Sequence, residues 1–266
     1  MSAAAPATAP ATAPLVPMVL RQARAEFLKL WRVPAFSATS LALPVMFYGF
    51  FGITHSHEHI QGSVTLGAYF LASMGAYGVS NVMVFSFGIG VANERGQKMD
   101  LLMRASPLPP VAYLAAKVLN ALLFALMTLL VLVLFARVTG SISLGPDVLA
   151  TLAWRLLLGS LPFIAVGFFF GYLAGPNSAV AVVNLVYLPT AFASGIFIPA
   201  SQLPDWISRL SPYLPLYRYV DVAWQTIGFR TGHSLSQDAL YLGIFTVVFF
   251  GAALRAYRRD TQNKFS

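Results

Sequence analysis

The chain alternates between long apolar runs and shorter polar stretches. Apolar runs cover about residues 35–54, 64–91, 111–135, 148–173, 179–198 and 239–254. Each approaches the ~20 residues that a helix needs to cross the hydrocarbon core. A spanning segment must satisfy its own backbone hydrogen bonds, so the pattern predicts helices rather than loops at these positions. The fold class that follows is an all-α integral membrane protein with six transmembrane helices in a domain over 34–257.

The polar stretches carry the rest of the organisation. Residues 1–14 are Ala, Pro and Thr, a low-complexity tail read as disordered, with neither the basic start nor the apolar block of a signal peptide. Over 15–33, Leu20, Ala23, Phe27, Leu30 and Trp31 line one side of a helix, and Arg21, Arg24, Lys29 and Arg32 occupy most of the remainder. This predicts an interfacial helix lying flat under anionic headgroups. Asn93 to Lys117 is the long polar interruption of the first two thirds of the chain. In it Met99, Leu102 and Met103 share a helical face, and Pro107, Pro109 and Pro110 end any helix before the next span. A short amphipathic helix on the membrane surface, within a segment over 93–107, is shaped to touch a partner. The stretch 199–237 is rich in Pro, Trp and Tyr, residues that mark the membrane–water boundary. The second span is rich in Gly, Ser and Ala, which let helices approach closely where lipid supplies no hydrophobic drive.

Composition agrees: 58% hydrophobic, 10% charged, mean hydropathy +0.71, against roughly a quarter charged in soluble domains. The net charge of +8 does not point to nucleic acid, because the basic residues flank spans. Arg21, Arg24, Lys29 and Arg32, then Arg95, Lys98, Arg104 and Lys117, and the tail at 258–266 after Arg255 all fall on one side of a six-span chain. The excess of Lys and Arg on that side places both termini and the 93–107 segment in the cytoplasm and the chain in the cell membrane. With no cysteine, disulfide and thiolate chemistry are excluded.

No phosphate-cradling Gly-Lys-Ser/Thr loop occurs, so an ATP-driven process needs its ATPase on another polypeptide. His55, His57 and His59 alternate in the loop after the first span and form a candidate metal cluster, though a wet polar loop accounts for them better. Arg155 is the charge inside a span. It is read as snorkelling outward or pairing with Asp147, with contact to anionic headgroups in a pathway as the alternative. Asn81 and Asn184 are polar positions within spans, suited to bonds between helices or to contact with a substrate. Phe85 and Phe192, with other aromatic, Met and small residues, would suit an amphipathic substrate such as a drug, a lipid or a lipid-linked molecule. Two other classes fit the residues less well. A six-span channel or scaffold would not need the cytosolic amphipathic helix. An intramembrane serine protease would need Ser194 and His233 to meet, and His233 sits in a polar loop segment.

Two motifs carry a resemblance. Glu94-Arg95-Gly96, Asp100-Leu101-Leu102, Ala105-Ser106-Pro107-Leu108, Tyr113 and Lys117 resemble the cytosolic coupling region of type-2 ABC exporter permeases. Ser194 to Pro199, Leu203 to Trp206, Ser211-Pro212 and Pro215 resemble the segment that follows the fifth span in that family. Gln97 departs from the Thr common there. The resemblance covers about residues 20–260. It implies a cytosolic coupling helix, in which Glu94, Arg95, Gly96, Asp100, Leu102, Arg104 and Pro107 contact the ATPase. It also implies external re-entrant helices marked by Gly195, Pro199, Pro204 and Trp206. The implied assembly pairs this chain with a second copy or a paralogue and with ABC ATPase subunits, which hold the ATP and magnesium. The chain itself then binds no cofactor and is not an enzyme. Transport in the export direction follows.

Overall fold

The computed structural model describes residues 15–32, 34–99, 109–199 and 202–263. They form a helical bundle. Helix α1 (Leu15–Trp31) is followed by α2 (Pro34–Phe47), which runs on as a π-helical segment, Tyr48–Ile53. Then come α3 (Leu66–Gly96), α4 (Pro110–Val138), α5 (Pro146–Leu158), α6 (Leu161–Leu173) and α7 (Ala179–Ala193). Two short pieces, α8 (Asp205–Leu210) and α9 (Pro215–Thr226), precede the last long helix, α10 (Leu235–Asn263).

Four helical stretches among the described residues are long and apolar enough to cross a membrane: Leu66–Gly96, Val111–Val138, Pro146–Leu173 and Leu235–Asp260. Ser40–Ile53 and Ala179–Ala193 are shorter apolar helices. The helix boundaries follow local chemistry. The Thr65 side chain accepts from the Ala68 amide at 3.3 Å and caps α3. Pro110, Pro146 and Pro215 open α4, α5 and α9, where a missing N–H costs nothing. Gly159 and Ser160 interrupt the stretch between α5 and α6, with Pro162 in the first turn of α6, so the long apolar run is broken there. Pro44 lies inside α2, one turn before the π-helical segment.

One departure from an all-helical reading is a two-stranded antiparallel hairpin, His59–Gln61 with Val64–Thr65, between α2 and α3. Gln61 fastens it to the loop before α10, accepting from the Arg230 amide at 2.6 Å and donating to its carbonyl at 3.1 Å. Strands of three and two residues leave no alternation to read in the sequence.

Helix α3 is the axis of the bundle. Most of its side chains are buried, from Ala68 to Glu94, whereas α10 leaves Leu240, Ile244, Val247, Val248 and Phe250 exposed, as a lipid-facing helix does. Close packing on α3 comes from glycine. Gly167-x-x-x-Gly171 of α6 lies directly against it. A β-carbon at Gly171 would come within 2.8 Å of Val91 Cβ, and one at Gly167 within 2.8 Å of Phe87 Cβ. On the other flank of α6, Phe169 meets Phe249 at 5.7 Å between ring centroids and Tyr172 meets Tyr257 at 5.4 Å, which joins α6 to α10.

Candidate functional site

The end of α3 that leads into the polar segment holds the densest charge cluster of the described residues. Glu94 is buried at 8% exposure. A carboxylate in such a place needs full compensation, and three neighbours provide it. Lys117 of α4 donates to it at 2.6 Å, Lys29 of α1 at 3.1 Å, and the Tyr113 hydroxyl of α4 also donates to it. Lys117 further donates to the Tyr113 oxygen at 2.9 Å. Glu26 stands 3.9 Å from Lys29 and extends the cluster along α1. The spacing explains the convergence. Tyr113 and Lys117 are four apart and share one face of α4, and Gly90, one turn before Glu94, faces the lysine, where a β-carbon would make ordinary contact with Lys117 Nζ at 3.7 Å.

Arg95, the next residue, projects about 100° further round the helix and serves different neighbours. Its guanidinium donates to the carbonyls of Gly171 at 2.7 Å and Ala174 at 3.3 Å, at the end of α6, and lies 5.5 Å from the Tyr172 ring centroid. It also pairs with Asp260 of α10, Nε to Oδ2 at 3.2 Å and through a second N–H. Gly96 then passes so close to the following turn that a β-carbon would stand 2.7 Å from Pro176. Adjacent residues of one helix therefore grip four others: Glu94 holds α1 and α4, and Arg95 holds α6 and α10. Asp100, Leu102, Arg104 and Pro107 of the expected coupling helix lie outside the described residues.

Sequence reasoning singled out Glu94, Arg95 and Gly96 but missed Lys29, Glu26 and Asp260 as their partners. The basic residue on α1 reads as a headgroup contact, and Asp260 is hidden in a basic tail. Only a contact between distant segments reveals either.

The positions named for a pathway separate. Phe85 is partly buried and sets its ring edge-on to Tyr187 at 6.0 Å. Phe192 is half exposed and packs on Phe197 at 4.6 Å. Asn81 is partly buried on α3. Asn184 turns back on its own helix, donating to the Val180 carbonyl at 2.9 Å, in place of the expected bond between helices. Arg155 forms no ion pair with Asp147; it reaches across to α9 and donates to Thr226 Oγ1 at 3.0 Å, with its guanidinium 5.8 Å from the Trp154 ring.

At the opposite end, Gly195 takes a positive φ of 75°, and its carbonyl accepts from the Tyr69 hydroxyl at 3.1 Å. Pro199 is buried, Pro204 precedes α8, and Trp206 on α8 is exposed. Trp224 of α9 stacks on Tyr69 at 4.9 Å and donates to Ser73 Oγ at 2.9 Å, which seats α9 on α3. Asp221 and Asp238, both fully buried, and His233 bring ligand atoms within 4.8 Å of one another. Protein groups already close this cluster. Thr231 donates to both oxygens of Asp221 at 2.6 Å, Gln225 to Asp238 at 2.6 Å, and Arg218 to Asp238 at 3.1 Å. Arg218 adds positive charge where a cation would sit. His55, His57 and His59 are exposed, and they are not part of that group. The protease dyad does not assemble: Ser194 donates to the Thr190 carbonyl at 2.7 Å, and His233 Nδ1 faces Asp221 at 3.2 Å.

Comparison with known proteins gives this geometry its context. The family model described as ABC-2 family transporter protein matches residues 53–255. The chain is similar to the Bacillus subtilis (strain 168) protein named "Putative transport permease YvfS", 27% identical over 229 residues, which are 86% of this chain and 92% of that one. It is also similar to Nodulation protein J of Sinorhizobium fredii (strain NBRC 101917 / NGR234), 34% identical over 107 residues, 37% of this chain and 41% of the other.

Proposed function

The chain belongs to the ABC-2 family of transporter proteins, and on that footing we propose that it is the six-span permease subunit of an exporter driven by a separate ATPase, with the Glu94 cluster as the joint through which force enters. The family normally works with an ATPase subunit. The two shorter apolar helices, Ser40–Ile53 and Ala179–Ala193, supply the remaining crossings beside the four long stretches. The bias of basic residues puts both termini and the end of α3 on the cytoplasmic side of the cell membrane. Two such chains, identical or paralogous, enclose the pathway, and the ATPase subunits dock beneath it against the segment that follows Gly96.

The observation that carries this reading is the burial of Glu94 among Lys117, Tyr113 and Lys29. A buried charge with three donors, drawn from two other helices, acts as a pivot: it pins α3 to α1 and α4 at one point and leaves the angle between them free to change. A push on the segment after α3 is passed to α1 and α4 rather than dissipated in a loop. ATP binding and hydrolysis then bias a two-state equilibrium of the bundle. The substrate is amphipathic: exposed aromatics such as Phe50 and Phe192 and the near absence of exposed charge within the apolar helices suit a drug, a lipid or a lipid-linked molecule.

Co-purification tests the reading. A tagged chain expressed with ABC ATPase subunits from the same genome should retain one of them, and the complex in vesicles should hydrolyse ATP and move fluorescent amphipathic compounds. Glu94→Ala should keep the complex and its hydrolysis but lose movement of the compound. Movement by the permease alone, without nucleotide, contradicts the proposal.

A further inference from the structure

Asp260 is the acidic residue in a basic run, after Arg255, Arg258 and Arg259. Charge pattern alone makes that run a headgroup-facing flank, in which a carboxylate is out of place. The structure gives it a task. The side chains of Arg95 and Asp260 keep 20% and 18% exposure, so the pair is sheltered at the inner end of the bundle. The same guanidinium covers the carbonyls of Gly171 and Ala174, among the last carbonyls of α6, which have no partner within the helix and carry the negative end of its dipole. Arg95 has donors enough for both duties, since its planar fork presents five N–H groups. Without Asp260 the guanidinium keeps α6 but loses α10.

Packing above this point divides in the same way. Gly167 and Gly171 press α6 onto α3, and the pairs Phe169–Phe249 and Tyr172–Tyr257 join α6 to α10. We infer that Asp260 is a positioning residue of the coupling joint: through Arg95 it fastens the inner end of α10 to α3 and α6, so that these three helices move as one body when the ATPases close. This rests on the proposed ATP-driven function, and it adds that the moving unit includes the last helix. The Glu94 side of the joint, toward α1 and α4, is where relative motion is transmitted.

The chain lacks cysteine, so labels can be placed singly. Cysteines replacing Gln97 and Arg259, both exposed, carry spin labels that report the α3–α10 distance. A second pair, at Gln97 and exposed Leu114, reports α3 against α4. Both are measured in the permease–ATPase complex, nucleotide-free and trapped with vanadate. In the otherwise native complex the Gln97–Leu114 distance should shift on trapping while the Gln97–Arg259 distance stays fixed and narrow. Asp260→Asn should broaden the Gln97–Arg259 distribution and lower the compound moved per ATP severalfold, with thermal stability unchanged. Asp260→Glu should restore both. If Asp260→Asn leaves that distance narrow and the ratio intact, the inference is overturned while the ATP-driven reading stands. If trapping shifts neither pair in the otherwise native complex, that reading itself fails.

Discussion

Glu94 of α3 and Lys117 of α4 meet at 2.6 Å with side chains only 10% and 7% exposed. A buried ion pair of this kind is weak support for stability as a whole, because desolvation offsets much of the attraction, but removing one partner strands the other. Lys117→Met therefore leaves a buried carboxylate with Lys29 as its remaining cationic partner. We expect a loss of about 3–5 kcal/mol, the range for breaking such pairs. The double variant Glu94→Gln with Lys117→Met should recover most of it. Thermal unfolding in detergent measures both; equal losses for the single and the double variant would show that the pair is not coupled.

Asn120 lies on α4 one turn beyond Lys117, and neither its amide nitrogen nor its carbonyl oxygen has a hydrogen-bond partner although the side chain is 1% exposed. A buried polar group left unsatisfied costs about 1–3 kcal/mol. Asn120→Leu, similar in volume, should raise the unfolding temperature. A fall instead would show that the amide is held by a water within the bundle.

Gly171 has no space for a side chain. A β-carbon there would stand 2.8 Å from Val91 Cβ and 2.9 Å from the Phe87 carbonyl, and backbone cannot yield as a flexible side-chain tip does. Gly171→Leu should separate α6 from α3 at a cost of at least about 1–3 kcal/mol, the range for overpacking. It should also carry the Gly171 carbonyl away from Arg95. Gly243, with nothing near its β-carbon position, is the control: Gly243→Leu should leave the unfolding temperature unchanged. Equal behaviour of the two variants would contradict the close α3–α6 contact.

Much of this architecture was legible in the residues because membranes simplify the code. Runs of apolar residues near 66–96, 111–138 and 235–260 announce helices by length alone, and the motif around Glu94 identified the family. What stayed hidden depends on contacts between distant segments. That Lys29 of α1 reaches Glu94, 65 residues on, and that Asp260 reaches Arg95, 165 residues back, leaves no local signature. Arg155 shows the same limit. Its neighbour in sequence, Asp147, was a reasonable partner, but the fold supplies Thr226 instead. The hairpin at His59–Thr65 was too short to leave a periodic trace.

The central claim is that force enters through Glu94, and the distance between spin labels at Gln97 and Leu114 tests it most directly. Measured in the permease–ATPase complex, this distance should change on vanadate trapping with Glu94 in place. With Glu94→Gln it should stay at its nucleotide-free value, although the ATPase remains bound and hydrolyses ATP. The same nucleotide-driven change in both proteins would contradict the account.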